Sequence, residues 1–387
     1  MIKLANRVSN LSVAATIAMK RKANELAAKG VDVVDFGIGE PDFPTPEFIK
    51  MAADRAMAKN YTKYTNTGGI PELRNAVADK YHREYGANFD AKREVVITCG
   101  GKQALYNVMF ALFDRGDEVI LPNPYWVTFP EQIKLSGASM VELHTCEENG
   151  FSLSAGDVEK LITPRTKGII LNFPNNPTGA VIPKRELQKI IEMARKRDFY
   201  VIFDECYEKF VYNGSSISGA PFGKENVILV GSCSKTYSMT GWRIGWAAGP
   251  AEVIQAMENL QSQSTSNPNS IAQWAAVEAL TCNQSFVQAM IDEYRRRRDV
   301  VVDGLNRVPG IKCALPEGAF YAFPNVSGCF NSSIRDSNEF INYLLEEAGV
   351  VTISGLEFGR DGYLRLSYAT SMERINEGLK RVQKLFG

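Results

Sequence analysis

Histidine is nearly missing from this chain of 387 residues, where only His82 and His144 occur. Sites that need several imidazoles, such as a three-histidine zinc centre, are thereby all but excluded, and no metal is expected. Net charge is missing too: 44 Lys and Arg balance 44 Asp and Glu. A nucleic-acid-binding chain ordinarily carries a basic excess, so that class is disfavoured. The seven cysteines, at 99, 146, 206, 233, 282, 313 and 329, form no C-x-x-C pair. An odd, widely spaced set fits reduced thiols better than a disulfide framework or a zinc cluster. No apolar run approaches the roughly 18 residues that would cross a bilayer. Residues 1–24 contain no Asp or Glu, and Lys3 and Arg7 precede the largely apolar Leu11–Met19, a loose imitation of a secretory signal. Lys20, Arg21 and Lys22 then stand where such a signal would carry small residues and a cleavage site, so the expected location is cytoplasmic.

What is present is an ordinary globular balance, 45% hydrophobic and 23% charged. At roughly 150 residues per domain the length suggests two or three domains. A strand-then-helix rhythm runs through VVDF (33–36), EVVITC (94–99), DEVILP (117–122), GIILNF (168–173), YVIFDE (200–205) and NVILVGS (226–232). Most of these runs lack polar alternation, as strands covered on both faces of a parallel sheet do. Helical stretches such as 102–113 and 184–197 lie between them. The fold class predicted is therefore α/β with a mostly parallel, doubly wound sheet. After about residue 250 the pattern changes. A long helical stretch (251–307) leads to short strands around 311–323 and 350–369, with helices at 337–348 and 372–386, which reads as a smaller α+β domain.

Ligands of open α/β sheets bind beyond the carboxyl ends of the strands, so the residues following each strand matter most. EVVITC is followed by Gly100, Gly101 and Lys102 at the start of a helix, where exposed N–H groups can hold a phosphate or simply make a tight turn. DEVILP is followed by Asn123-Pro124-Tyr125-Trp126; Trp126 could pack inward or offer a flat face to a ring. After GIILNF, Pro174-Asn175-Asn176-Pro177-Thr178-Gly179 is a stiff turn in which an Asn–Pro bond is a candidate for cis. YVIFD ends in Asp204, a carboxylate that is costly at a buried strand end unless it meets a cation or caps a helix. Tyr207 follows three positions later. NVILVGS leads into Ser232-Cys233-Ser234-Lys235 and then Gly241-Trp242-Arg243. Desolvation would make Lys235 a Schiff-base nucleophile, although taken alone a surface lysine is the better reading. Arg365, in the alternating run 363–368, suits a bidentate carboxylate clamp or an interdomain salt bridge. The four consecutive arginines 295–298 point around most of a helix and read as solvated or interfacial.

Taken in order, GGK, NPYW, NNPTG, DECY, SCSK and GWRIG, with a late Arg, resemble the class I aminotransferases of fold type I. The runs GEPDF (39–43), KYTNTGGIPELR (63–74), GGKQAL (100–105), MTGWRIGWAAGP (239–250) and SIAQWAAVEAL (270–280) extend the resemblance to the bacterial aspartate and aspartate/prephenate subgroup. It implies a large domain over 46–285 with a seven-stranded, mostly parallel sheet. A small domain would combine 1–45 with 286–387. It implies pyridoxal 5'-phosphate, bound as a Schiff base to Lys235, with Asp204 on the pyridine N–H. Tyr207 and Asn176 would bond the ring hydroxyl, and Trp126 would stack on the ring. The phosphate would lie on the backbone of Gly101 and Lys102 beside Gly100, with Ser232, Ser234 and Arg243, and with Tyr64 reaching across from the second subunit of a homodimer. Arg365 would take the substrate α-carboxylate near Gly39 and Asn176, and Lys102 with Thr16 would take a distal carboxylate.

Those assignments imply ping-pong transfer of an amino group between a dicarboxylic amino acid, foremost L-aspartate, and 2-oxoglutarate. Prephenate aminotransferases share the same marks, and a β-lyase or a PLP-binding regulator on this fold is a more distant alternative. One departure concerns specificity. Members commonly read Pro-Ser-Ala-Thr near the N-terminus, whereas this chain has Val13-Ala14-Ala15-Thr16. Ala14 lacks a hydroxyl whose bond to a charged group would contribute about 1.5–3 kcal/mol. Cys206 replaces a usual aliphatic residue and is expected to act as a small buried side chain.

Overall fold

The computed structural model describes residues 5, 8, 11, 21–23, 25 and 27–387. Its strands are β1 (Val34–Asp35), β2 (Val95–Thr98), β3 (Glu118–Asn123), β4 (Ser139–His144), β5 (Thr166–Asn172), β6 (Tyr200–Asp204), β7 (Val227–Ser232) and β8 (Gly245–Ala248), followed by β9 (Tyr321–Ala322), β10 (Val350–Val351), β11 (Ile353–Ser354) and β12 (Leu364–Ser367). A seven-stranded sheet runs in the order β2-β8-β7-β6-β5-β3-β4, and only β8 is antiparallel to its neighbours. The continuous apolar runs are explained by burial on both faces: Val201 and Phe203 of β6 join one core and Ile202 joins the other. Alternate residues of one strand therefore feed two separate cores.

A three-stranded antiparallel sheet, β11-β12-β9, follows in the last third of the chain. β1 pairs in parallel with β10, so residues 34–35 lie beside residues 350–351. Three X–Pro bonds are cis: Asn123-Pro124, Phe173-Pro174 and Asn176-Pro177. Among the described residues, no helix is long and apolar enough to cross a membrane.

Two sequence expectations are corrected. The stretch 251–307 is three helices, Ala251–Ser262, Ser270–Thr281 and Ser285–Asn306. Ser266 takes a left-handed φ of 60°. Pro268 supplies no N–H, and the Asn269 side chain caps the next helix by accepting from Ala272 N at 2.9 Å. The arginine run, expected solvated or interfacial, divides between buried and exposed members. Arg297 is buried and grips both oxygens of Asp42 at 2.8 and 2.9 Å. Arg298 is buried as well and donates to Pro316 O at 3.0 Å. Arg296 pairs with Glu293 at 2.9 Å and Arg295 with Asp292 at 3.8 Å on the exposed surface of their own helix. All seven cysteines are free thiols.

Candidate active site

The carboxyl ends of β2, β5, β6 and β7 converge on a cavity of about 370 Å³, which is within the roughly 300–1,000 Å³ of small-ligand sites. Lys235 follows β7 and is partly buried. Its Nζ donates to Gly39 O at 2.6 Å, a neutral acceptor. Burial foremost, with Arg365 and Arg243 nearby, holds its amine below the usual lysine range. No ion pair of Lys235 occurs among the described residues, so a fraction of neutral amine is available at lower pH than on a surface lysine.

Asp204 closes β6 and is 4% exposed. Burial pushes its carboxyl up to about 7, against the opposing effect of the Cys206 N–H bond at 3.0 Å and of Lys235. The residues after Asp204 form a turn and not a helix, so the helix-cap explanation of this carboxylate does not hold. A cation or N–H donor placed in the cavity would restore its charge.

Anion-binding features cluster beside it. Gly100, at φ 81°, lets the chain turn into the helix Gly101–Leu112, whose first N–H groups have no partner within the helix. A Cβ on Gly100 would lie 2.5 Å from Arg243 Nη2. Ser232 Oγ donates to Ser234 Oγ at 2.7 Å, and Arg243 holds a left-handed φ of 55° while donating to Thr240 O at 2.8 Å. A non-glycine residue in that conformation stores strain of a kind that concentrates at ligand sites.

Two further cations reach the same cavity. Arg365, on β12, is 4% exposed and donates to Gly37 O at 2.8 Å and to Asn176 Oδ1 at 3.2 Å. Its Nε is buried without a partner. No carboxylate pairs with Arg365 among the described residues, so the salt-bridge explanation is not met. Lys102 Nζ lies 4.8 Å from the Trp126 ring centre, and burial with the Arg243 charge lowers its affinity for its proton.

Of the residues singled out from sequence, Gly39, Gly101, Lys102, Trp126, Asn176, Asp204, Tyr207, Ser232, Ser234, Lys235, Arg243 and Arg365 all line this cavity. Gly100 stands just behind it. Tyr64 does not line it and is 91% exposed on the isolated chain. Thr16 and Ala14 lie outside the described residues. Cys206 is only partly buried and lines the cavity, instead of being an inert core residue, and burial pushes its thiol up to about 12.

Asn172 and Tyr321 also line the cavity and were missed. Asn172 accepts from Asn176 N at 3.0 Å and was visible as the polar end of an apolar strand. Tyr321 sits within an aromatic run, GAFYAF (318–323), that reads as core.

A desolvated lysine, a buried carboxylate, an anion cradle at a helix start and a spare guanidinium on one α/β cavity are the groups that lysine Schiff-base chemistry requires. Comparison with known proteins narrows this. The model of the family "Aminotransferase class I and II" matches residues 31–382, and the chain belongs to that family. It is 47% identical over 98% of both chains to a probable aspartate/prephenate aminotransferase of Aquifex aeolicus. It is 44% identical over 99% of both chains to the aspartate/prephenate aminotransferase of Thermus thermophilus. The solved aspartate aminotransferase of Thermus thermophilus with maleate superposes with a TM-score of 0.95, at 45% identity over 100% of both chains.

These enzymes are fold type I transferases that use pyridoxal phosphate. The cavity fits that group. It offers an amine for the aldehyde, Asp204 for a ring nitrogen, and N–H, hydroxyl and guanidinium donors for a phosphate.

Proposed function

We propose that the chain transfers amino groups between a dicarboxylic amino acid, foremost L-aspartate, and 2-oxoglutarate. The observation that carries this reading is the presence of two separate cations, Arg365 and Lys102, on the cavity that holds Lys235. A substrate with two carboxylates satisfies both. An apolar side chain would leave the Lys102 ammonium facing unmatched surface.

When bound, pyridoxal phosphate supplies an electron sink that stabilises negative charge at the substrate Cα. Lys235 would hold the cofactor and then move the proton at the substrate Cα. Asp204, held by Cys206 N–H, would keep the ring nitrogen protonated. Tyr207 and Asn176 would hydrogen-bond the ring hydroxyl, with Trp126 beside the ring. The backbone of Gly100, Gly101 and Lys102, with Ser232, Ser234 and Arg243, would receive the phosphate. Arg365 takes the α-carboxylate through its planar fork, with Gly39 beside it, and Lys102 with Thr16 takes the distal carboxylate.

The exposure of Tyr64 supports a homodimer in which this residue reaches the phosphate of the other subunit. The division into a large domain (46–285) and a small one (1–45 with 286–387) agrees with the position of the seven-stranded sheet and the pairing of β1 with β10. Seven free thiols are compatible with a cytoplasmic location.

The names of the relatives favour one second reading, amination of prephenate. Single half-reactions followed by absorption decide between them, using L-aspartate, L-glutamate, L-arogenate, L-phenylalanine, L-alanine and L-cystathionine. Aspartate or glutamate should convert the pyridoxal form to the pyridoxamine form fastest. Arogenate ahead of both would move the enzyme to prephenate. Pyruvate from cystathionine with the pyridoxal form regenerated would make it a lyase.

A further inference from the structure

We propose that Tyr321 is a positioning residue that joins the two halves of the site, donating a hydrogen bond to Tyr207 while its ring supports the Arg365 guanidinium. The inference deepens the proposed function and rests on its placement of Tyr207 at the cofactor.

Tyr321 is fully buried on β9, opposite Ser367 of β12, one strand from the position of Arg365. Its hydroxyl lies 2.7 Å from the Tyr207 hydroxyl. Its ring centre lies 4.7 Å from the Arg365 guanidinium carbon, and Phe358 contacts the same guanidinium at 5.1 Å. Arg365 is thus held by two aromatic rings and two oxygen acceptors, with no opposing charge among the described residues. Aromatic faces attract a cation without neutralising it, so the fork remains available to a carboxylate.

The direction of the hydroxyl bond follows from the same geometry. A cation near the Tyr321 ring favours negative charge on its oxygen and makes that phenol the better donor of the pair. Tyr321 then donates to Tyr207, and the Tyr207 proton is left for an acceptor in the cavity. Hydrogen bonds in such a chain polarise one another, so the first strengthens the second. Gly39 adds a steric link: a Cβ there would stand 3.1 Å from the Tyr321 hydroxyl. The loop that accepts from Lys235 is therefore packed against the same tyrosine.

The two contributions separate in the holoenzyme. Tyr321→Phe removes the hydroxyl and keeps the ring, whereas Tyr321→Leu removes both. The readouts are the pH midpoint of the bound cofactor's visible band and the Kd of succinate, a dicarboxylate with no amino group to transfer. Tyr321→Phe should raise the midpoint by roughly half a pH unit, in the direction of Tyr207→Phe but by less, because a weakened donor stabilises the ring oxygen less. Its succinate Kd should stay within about twofold of wild type. Tyr321→Leu should show the same midpoint shift and a succinate Kd raised on the order of tenfold. If Tyr321→Leu does not fold, Tyr321→Met serves the same purpose.

A wild-type midpoint in Tyr321→Phe, with Tyr207→Phe shifted, overturns this inference and leaves the proposed function standing. So does equal loss of succinate affinity in Tyr321→Phe and Tyr321→Leu. An unshifted Tyr207→Phe overturns the placement of Tyr207 itself.

Discussion

Replacing Asp204 by Asn should stabilise the cofactor-free chain and disable the loaded one. In the free chain, burial raises this carboxyl from 3.8 to about 7. Below pH 4 the carboxyl is protonated in both the folded and the unfolded chain and contributes nothing to the pH dependence. Between about 4 and 7 the unfolded chain ionises while the folded chain holds its proton, so stability falls as pH rises. Above about 7 both are ionised and the loss is complete. A span of about three pH units, at roughly 1.4 kcal/mol each, corresponds to about 4 kcal/mol. Asparagine removes the charge and keeps an oxygen for the Cys206 N–H. The difference in urea-unfolding free energy, mutant minus wild type, should therefore grow from near zero at pH 4 to about 4 kcal/mol at pH 8, at fixed protein concentration. With pyridoxal phosphate the sign reverses, since a protonated ring nitrogen loses its counter-charge. Breaking a buried pair costs about 3–5 kcal/mol, so transaminase activity should drop by at least ~10²-fold. A pH-independent stability difference in the free chain would refute the burial argument. An active Asp204→Asn holoenzyme would refute the ring-nitrogen role.

Lys102→Ala should lower kcat/KM for L-aspartate by ~10²-fold, the scale of a lost charge-assisted bond, with a much smaller effect on L-alanine or L-phenylalanine; equal losses across the panel would remove its assignment to the distal carboxylate. Gly100→Ala places a Cβ 2.5 Å from Arg243 Nη2 at a φ of 81°, and the strain of about 1–3 kcal/mol should appear as weaker cofactor binding in an equilibrium titration. Lys80 lies buried 2.6 Å from Glu208 and 3.1 Å from Glu84, so Lys80→Met should cost about 3–5 kcal/mol in unfolding experiments by leaving the buried Glu208 carboxylate without its cation. A stability change under ~1 kcal/mol would mean that the cluster simply re-pairs through Lys209, which already sits 2.7 Å from Glu84.

The parts legible in the sequence share a physical cause. A strand buried on both faces needs an unbroken apolar run, so β3, β5, β6 and β7 announce themselves. A polar residue at such a strand's end must be satisfied by something beyond the sheet. That is why Asp204 stands out in the sequence alone, whereas Asn176, Lys235 and Gly101, which lie beyond their strands, take their roles from the family resemblance. What stayed hidden depends on partners far away in sequence. Arg297 looks like a surface cation until Asp42, 255 positions earlier, is brought to 2.8 Å. Tyr321 looks like core until its hydroxyl meets that of Tyr207, 114 positions away. The break before Ser270 was a local failure of a different sort. Asn267-Pro268-Asn269 is a stop-and-cap signal, overridden by the length of the helical pattern around it.

The neutral total charge conceals the feature that best explains what the cavity accepts. Among the described residues that line it, Lys102, Lys235, Arg243 and Arg365 are cationic and Asp204 alone is acidic. Burial foremost, with the neighbouring positive charges adding to it, lowers the proton affinity of both lysines. The excess is relieved when several negative groups enter together. A phosphate near Arg243 and the helix start, one carboxylate at Arg365 and a second at Lys102 would do so at three separate points. A monocarboxylic amino acid relieves two of the three. The preference for a diacid is thus a property of the charge balance of the whole cavity, to which Lys102 contributes the last unmatched cation.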